Sequence, residues 1–150
     1  MDFLEMSKAE VQAWAQTSQS TAADKITIET AVVRTDQRGA KRILVLKRAA
    51  HEVYYPGVFE IPGGKVDDTD LSTREAITRE VKEETDLTIA DVLMEEDGHD
   101  FTVNPSEHSE GLWVNSEELD LVKMANEILH VSFTRSTCYQ SKVAQRPMLG

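Results

Sequence analysis

Gly63-Gly64-Lys65-Val66-Asp67-Asp68-Thr69-Asp70-Leu71-Ser72, running on into Thr73-Arg74-Glu75-Ala76-Ile77-Thr78-Arg79-Glu80-Val81-Lys82-Glu83-Glu84-Thr85-Asp86, decides how the chain is read. Its two glycines make a tight turn at which backbone can approach a ligand closely. Ser72 is placed to cap a helix, and Glu75, at the third helical position, completes a capping box. Ala76, Ile77 and Val81 give that helix an apolar stripe, and it should end near Thr85-Asp86. Glu80, Glu83 and Glu84 stand at i, i+3 and i+4, so they share one face and repel by roughly 0.2–0.5 kcal/mol per pair. A hard divalent cation relieves that repulsion, because Mg²⁺ takes oxygen ligands and is commonly held by carboxylates together with substrate phosphates. Three acids on a helix are, taken alone, ordinarily a solvated face. The strand, the glycine turn and the acidic loop ahead of them make the pattern more specific.

Upstream, residues 58–61 form a short strand stopped by Pro62. Ile43-Leu44-Val45-Leu46 is a continuous apolar run, which predicts a strand buried on both faces. Residues 26–33 are rich in β-branched side chains and read as one strand, joined to it by a hairpin turn over residues 36–40. Near the start, Ser7 and Glu10 form a capping box for a helix to about Gln16 that packs through Val11 and Trp14. Downstream, residues 87–96 predict a strand, Asp97-Gly98 a hairpin turn, and residues 99–103 its partner. Gly111-Leu112-Trp113-Val114 is a further strand. Asn115 and Glu118 cap a last helix to about Leu129, with Leu119, Val122, Ala125, Ile128 and Leu129 at helical spacing. The expected division is an N-terminal helix and connector over 1–24, one domain over 25–133 and a mobile polar tail over 134–150. Strands and helices in this order point to an α/β sandwich.

Composition narrows the classes. The 150 residues are 40% hydrophobic, ample for one globular core, and no run approaches the ~20 apolar residues that cross a bilayer. The net charge of −11, from 27 acidic and 16 basic residues, repels nucleic acid and anionic membranes, so neither is an expected partner. Met1-Asp2-Phe3-Leu4-Glu5 lacks the basic start and apolar run of a signal peptide, and Cys138 is the only cysteine. A reducing compartment, cytoplasm or nucleus, is the expectation.

The stretch around Gly63-Gly64-Lys65-Val66-Asp67 and Arg79-Glu80-Val81-Lys82-Glu83-Glu84 resembles the box of the Nudix hydrolases. Weaker support comes from Phe59-Glu60-Ile61-Pro62 before it and from residues 107–114 after it. That family's pattern is a glycine, five residues, a glutamate, seven residues, then Arg-Glu-apolar-x-Glu-Glu-x-Gly-apolar. This sequence departs from it in three places: Asp70 stands where the glutamate belongs, eight residues separate it from Arg79, and Asp86 replaces the last glycine. The inserted residue threatens to displace Gly64 from the helix. Aspartate tolerates the left-handed conformation at position 86 better than most residues. The family also places a substantial strand where only residues 99–103 are available.

The resemblance implies a Nudix-like α/β/α sandwich with a mixed sheet and a trimmed central strand. It implies hydrolysis of a diphosphate bond in a nucleoside diphosphate derivative, with Mg²⁺ (or Mn²⁺) held by Glu80, Glu83, Glu84 and the Gly64 carbonyl. Arg79 would orient one of the carboxylates. Glu83 is the first candidate for general base, and Glu107 or Glu110 the second. Arg48 and Lys65 are candidates for phosphate contacts, each reading equally as a surface cation; Phe59, with Tyr54 and Tyr55, is a candidate for contact with the base, although Phe59 reads more readily as core. His51, His99, His108 and His130 show no metal-ligand spacing. Three readings stay open: an active hydrolase, a Nudix-fold binding or regulatory module with little turnover, and an unrelated α/β domain with a solvated acidic helix. The sequence leaves the oligomeric state undetermined.

Overall fold

The computed structural model describes residues 2–19, 24–89 and 101–122. Ahead of the sheets lie a 3-10 turn at Phe3–Glu5 and helix α1, Lys8–Gln19. Glu10 reaches back to the Ser7 backbone N–H at 2.7 Å, so the capping box closes as the sequence predicts. Strands β1 (Thr27–Glu29), β2 (Val33–Thr35), β3 (Lys41–Arg48), β4 (Phe59–Glu60) and β5 (Gly63–Lys65) lead to α2 (Thr73–Thr85), and β6 (His108–Val114) leads to the short α3 (Ser116–Leu119).

The run expected as one strand over residues 26–33 is two. β1 pairs with β5, and β2 pairs with β3, so the chain changes partners between them. Thr30 donates to the Pro62 carbonyl at 2.8 Å at the point of transfer. β3 is the centre of the larger sheet. β6 runs along one of its edges, and β2 and β4 share the other end to end, since β6 pairs with β3 at both Ile43 and Leu46. Among the described residues every strand pair is antiparallel. Ile43, Leu44, Val45 and Leu46 are each 0% exposed, so β3 is buried on both faces. Each such side chain gains about 1.5–3 kcal/mol on leaving water.

Two apolar clusters result. Val11, Ile26, Ile28, Val66, Ala76, Ile77 and Val81 join α1, β1 and α2, with Phe3, Leu4 and Met6 against them. The N-terminal segment is thus part of the core: Phe3 stacks edge-on against Trp14 at 4.8 Å, and Thr73 donates its N–H to the Met6 carbonyl. Ile43, Val45, Ile61 and Val114 form the second cluster, joined by Phe59, Leu112 and Leu119.

The expected strand at residues 99–103 is not found over its described part, 101–103. Its backbone has other partners: Thr102 and Asn104 donate to the carbonyls of Thr85 and Glu84 at 2.8 and 3.0 Å. Those carbonyls are orphans at the end of α2, and satisfying them takes the place of a ladder. Residues 87–89 form no strand; the rest of that expected strand, the Asp97-Gly98 turn, the last helix beyond residue 122 and the tail lie outside the described residues.

Candidate active site and metal centre

Helix α2 brings its charged face against the glycine turn. Ser72 caps it as expected, its hydroxyl accepting from the Glu75 N–H, while the Glu75 carboxylate goes to the Leu71 N–H at 2.6 Å. Asp86 closes the other end in the left-handed conformation, with φ 59°, and donates its N–H to the Lys82 carbonyl. A side chain at position 64 would collide with the Glu80 carboxylate, and one at 63 with the Ile28 carbonyl. Gly63 is therefore required by close approach to backbone, while at position 64 a side chain would push the Glu80 carboxylate aside.

Arg79 is the hub of the first half of the helix. Its Nε and Nη2 grip Asp70 at 3.0 and 2.8 Å, Nη2 also reaches the Lys65 carbonyl at 2.9 Å, and Nη1 meets Glu80 at 2.9 Å and Glu83 at 3.3 Å. The Arg79 hydrogen bond is the main reason that the buried Asp70 carboxyl is held below the usual carboxylate range. Asp70 also accepts from the Asp67 N–H at 2.8 Å. An acid one methylene shorter than glutamate therefore still reaches the arginine, with one more residue between the two than the family pattern has. Gly63 donates to Glu84 at 3.0 Å, so the glycine turn stays tied to the helix at a second point.

Glu84 is buried at 3% exposure, and Glu80 is half-buried. Burial pushes the Glu84 carboxyl up to about 9 against the Gly63 hydrogen bond, and the charges of Glu60, Glu107 and Glu80 push the same way. Burial also raises Glu80, with Arg79 opposing. An acid so crowded and desolvated fits a site that a divalent cation completes. Glu83, at the outer edge, is exposed.

Of the opposite wall, the sequence singles out Glu107 but not His108 or Glu60 as a site residue. His108, 2% exposed, holds Glu60 through Nε2 at 2.9 Å and lies 3.9 Å from Glu84. Carboxylate oxygens of Glu84 and Glu107 and a ring nitrogen of His108 all lie within 4.8 Å of one another. A register shift puts them there: Lys47 pairs with Glu110, but Arg48 pairs with His108, leaving Ser109 as an extra residue. An extra residue reverses the alternation of faces. His108 thus falls on the face of Glu60 and Arg48, while Glu110 stays with Lys47, at 3.5 Å, on the other. Burial raises Glu60, but the His108 hydrogen bond and the Arg48 charge outweigh it and hold the carboxyl low.

Several candidates fall elsewhere. Glu110 is not brought to the acidic cluster. Phe59 pairs with Lys47 and packs into the second apolar cluster, on the face opposite Glu60. Arg48 spends its guanidinium on Glu60, Glu52 and the Tyr54 carbonyl, at 2.9, 2.9 and 2.7 Å. Lys65 is exposed at the end of β5, and Tyr54 and Tyr55 are exposed on the loop between β3 and β4.

The family model of the NUDIX domain matches residues 25–135. The chain belongs to the Nudix family. Solved Nudix structures resemble it. The NUDIX domain of Shewanella oneidensis NrtR, complexed with ADP ribose, aligns over 79% of this chain and 90% of that one, at 15% identity and a TM-score of 0.54, a likeness of fold. A MutT protein from Methanosarcina mazei Go1 is 25% identical over 63% of this chain and 80% of its own, with a TM-score of 0.49. A MutT/nudix family protein from Enterococcus faecalis is 19% identical over 73% of this chain and 51% of its own, also at 0.49. No curated protein matches significantly. Nudix membership makes residues 63–86 the Nudix box of this chain, with Asp70 and the longer loop as its own variation. No helix among the described residues is long and apolar enough to cross a membrane.

Proposed function

We propose that this Nudix domain hydrolyses a diphosphate bond in a nucleoside diphosphate derivative, using a divalent cation, Mg²⁺ or Mn²⁺. The observation that carries the proposal is Glu84, a buried acid ringed by Glu60, Glu80 and Glu107 at the foot of the Nudix box. Glu80, Glu83, Glu84 and the Gly64 carbonyl would hold the ion. Such an ion, when bound, neutralises diphosphate charge and makes water more acidic. The chain's own groups do the rest. Arg79 orients Glu80 and Glu83, and its pairing with Asp70 keeps the guanidinium from swinging away. Glu83 is exposed and free to face an incoming diphosphate, so it is the first acceptor for the proton of the attacking water. Glu107, exposed beside Glu84, is the second; Glu110 is too far round the strand. Lys65, exposed where the glycine turn meets the loop, is the better placed of the two proposed phosphate contacts, since Arg48 is committed to Glu60 and Glu52.

A Nudix domain with ADP-ribose bound is among the structural neighbours, and this supports a second reading, a binding module with little turnover. Formation of nucleoside monophosphate from a panel of nucleoside diphosphate derivatives, with Mg²⁺ and with Mn²⁺, separates the two. Turnover of at least one substrate that falls in Glu83→Gln supports hydrolysis. Tight binding across the panel without turnover supports the second reading. The proposed compartment is the cytoplasm or nucleus, a reading that rests on the lone cysteine.

A further inference from the structure

We propose that Asn104 is a positioning residue for the hydrolysis proposed above: the turn it closes holds the Glu107 carboxylate against the acids of the box, and Asn104 acts on turnover through Glu107. The inference rests on that hydrolysis and assigns it a residue outside the box. Asn104-Pro105-Ser106-Glu107 has the composition of a tight turn, with asparagine first and proline second. An asparagine side chain in that place accepts from the backbone two residues on, and proline holds its own φ at about −65°. The hydrogen bonds are those of such a turn. Asn104 Oδ1 accepts from the Ser106 N–H at 3.1 Å and from its hydroxyl at 2.7 Å. The Asn104 carbonyl accepts from the N–H groups of Glu107 and His108 at 3.2 and 2.9 Å. One residue thus holds each of the three from Ser106 to His108.

The turn is anchored on both sides of the site. The Asn104 N–H donates to the carbonyl of Glu84 itself at 3.0 Å, so two hydrogen bonds through Asn104 join the backbone of the buried acid to that of Glu107. From the loop between β3 and β4, Ala49 donates to the Glu107 carbonyl at 2.8 Å, and His51 Nε2 donates to the Ser106 carbonyl at 2.7 Å. Glu107 is exposed, yet one of its carboxylate oxygens lies within 4.8 Å of one on Glu84. An exposed carboxylate gains nothing from standing beside a second acid and would turn to water if its backbone were free. Fixing the backbone at 107 limits that retreat. A displacement of 1 Å in a group that acts on the reacting atoms can cost on the order of 100-fold in rate, so a residue that only holds the turn has leverage on turnover.

The test is a double-mutant cycle between positions 104 and 107 in the full chain, read as steady-state formation of nucleoside monophosphate from the panel derivative that the wild type turns over fastest. Asn104→Ala should lower kcat on the order of tenfold with little change in KM, and Asn104→Asp, which keeps the accepting oxygen, should recover most of the loss. In Glu107→Gln the further change Asn104→Ala should cost nothing more, because the group through which Asn104 acts is already gone. Pro105→Gly loosens the turn while leaving its hydrogen-bonding groups in place. It should reproduce the loss in kcat and its dependence on Glu107, which guards against an Asn104→Ala that fails to fold. The rise in melting temperature on adding Mg²⁺ should persist in both single variants. Losses at 104 and 107 that multiply, wild-type kcat in Asn104→Ala and Pro105→Gly, or disappearance of the Mg²⁺-induced rise in those variants overturns the inference and leaves the hydrolysis standing. A wild type that turns over no derivative overturns both.

Discussion

Around Arg79 the acids of α2 are met by the protein's own cation: one guanidinium serves Asp70, Glu80 and Glu83. One turn later Glu84 has no such partner and is buried among Glu60, Glu80 and Glu107, with His108 alongside. The same helix thus carries a neutralised end and a frustrated end. At the first end the charges are paired before any ligand arrives, which orients Glu80 and Glu83. The second is stable with its acid ionised only if something positive is brought in, which is how a binding site differs from an ion-pair network.

The largest expected effect is at the frustrated end. Glu84→Gln should lower metal-dependent hydrolysis roughly 100-fold or more, since a displaced cation misplaces the reacting groups; steady-state formation of nucleoside monophosphate measures it. At the paired end the penalty should appear as stability instead. Asp70→Asn leaves Arg79 without its bidentate partner and should cost about 2–3 kcal/mol in urea unfolding. Unchanged stability in Asp70→Asn would mean that the Asp70–Arg79 pair does not tie the loop to the helix.

Acidity should pull the two ends in opposite directions. Asp70 is held below its ordinary 3.8 in the folded chain, so its contribution is complete above that value and is lost as the pH falls through the folded pKa. Glu84 is raised from 4.5 to about 9, so the folded state keeps a proton that the unfolded chain has released. In metal-free protein its effect is most favourable below pH 4.5 and is lost progressively as the pH rises to about 9. Unfolding measured across both windows should show an acid limb that flattens in Asp70→Asn and an alkaline decline that flattens in Glu84→Gln. The smallest effect is expected outside both ends: Asp86→Gly relieves a left-handed aspartate and should stabilise by up to about 1 kcal/mol in thermal unfolding.

The same contrast explains what the sequence discloses. The helix itself is local. Glu80, Glu83 and Glu84 share a face by helical spacing, Ser72 caps the helix, and Asp86 takes the left-handed cap, all within one short stretch. The frustrated end is assembled from β4, α2 and β6, and its decisive step is a single extra residue at Ser109. Simple alternation puts His108 and Glu110 on one face; the register shift separates them, which is why Glu110 reads as a site residue and His108 does not. Phe59 and Glu60 differ in the same way, since neighbours on a strand face opposite sides, and which side is core depends on pairing that no local pattern carries. The division of residues 26–33 between two sheets is equally a matter of partners.

The most direct test of the central claim, that Glu84 anchors a divalent cation site, is the melting temperature of wild type and Glu84→Gln during titration with Mg²⁺ or Mn²⁺. The wild type should show a rise that saturates with metal and is largely absent in the variant. No rise in the wild type, or an equal rise in both, would contradict it.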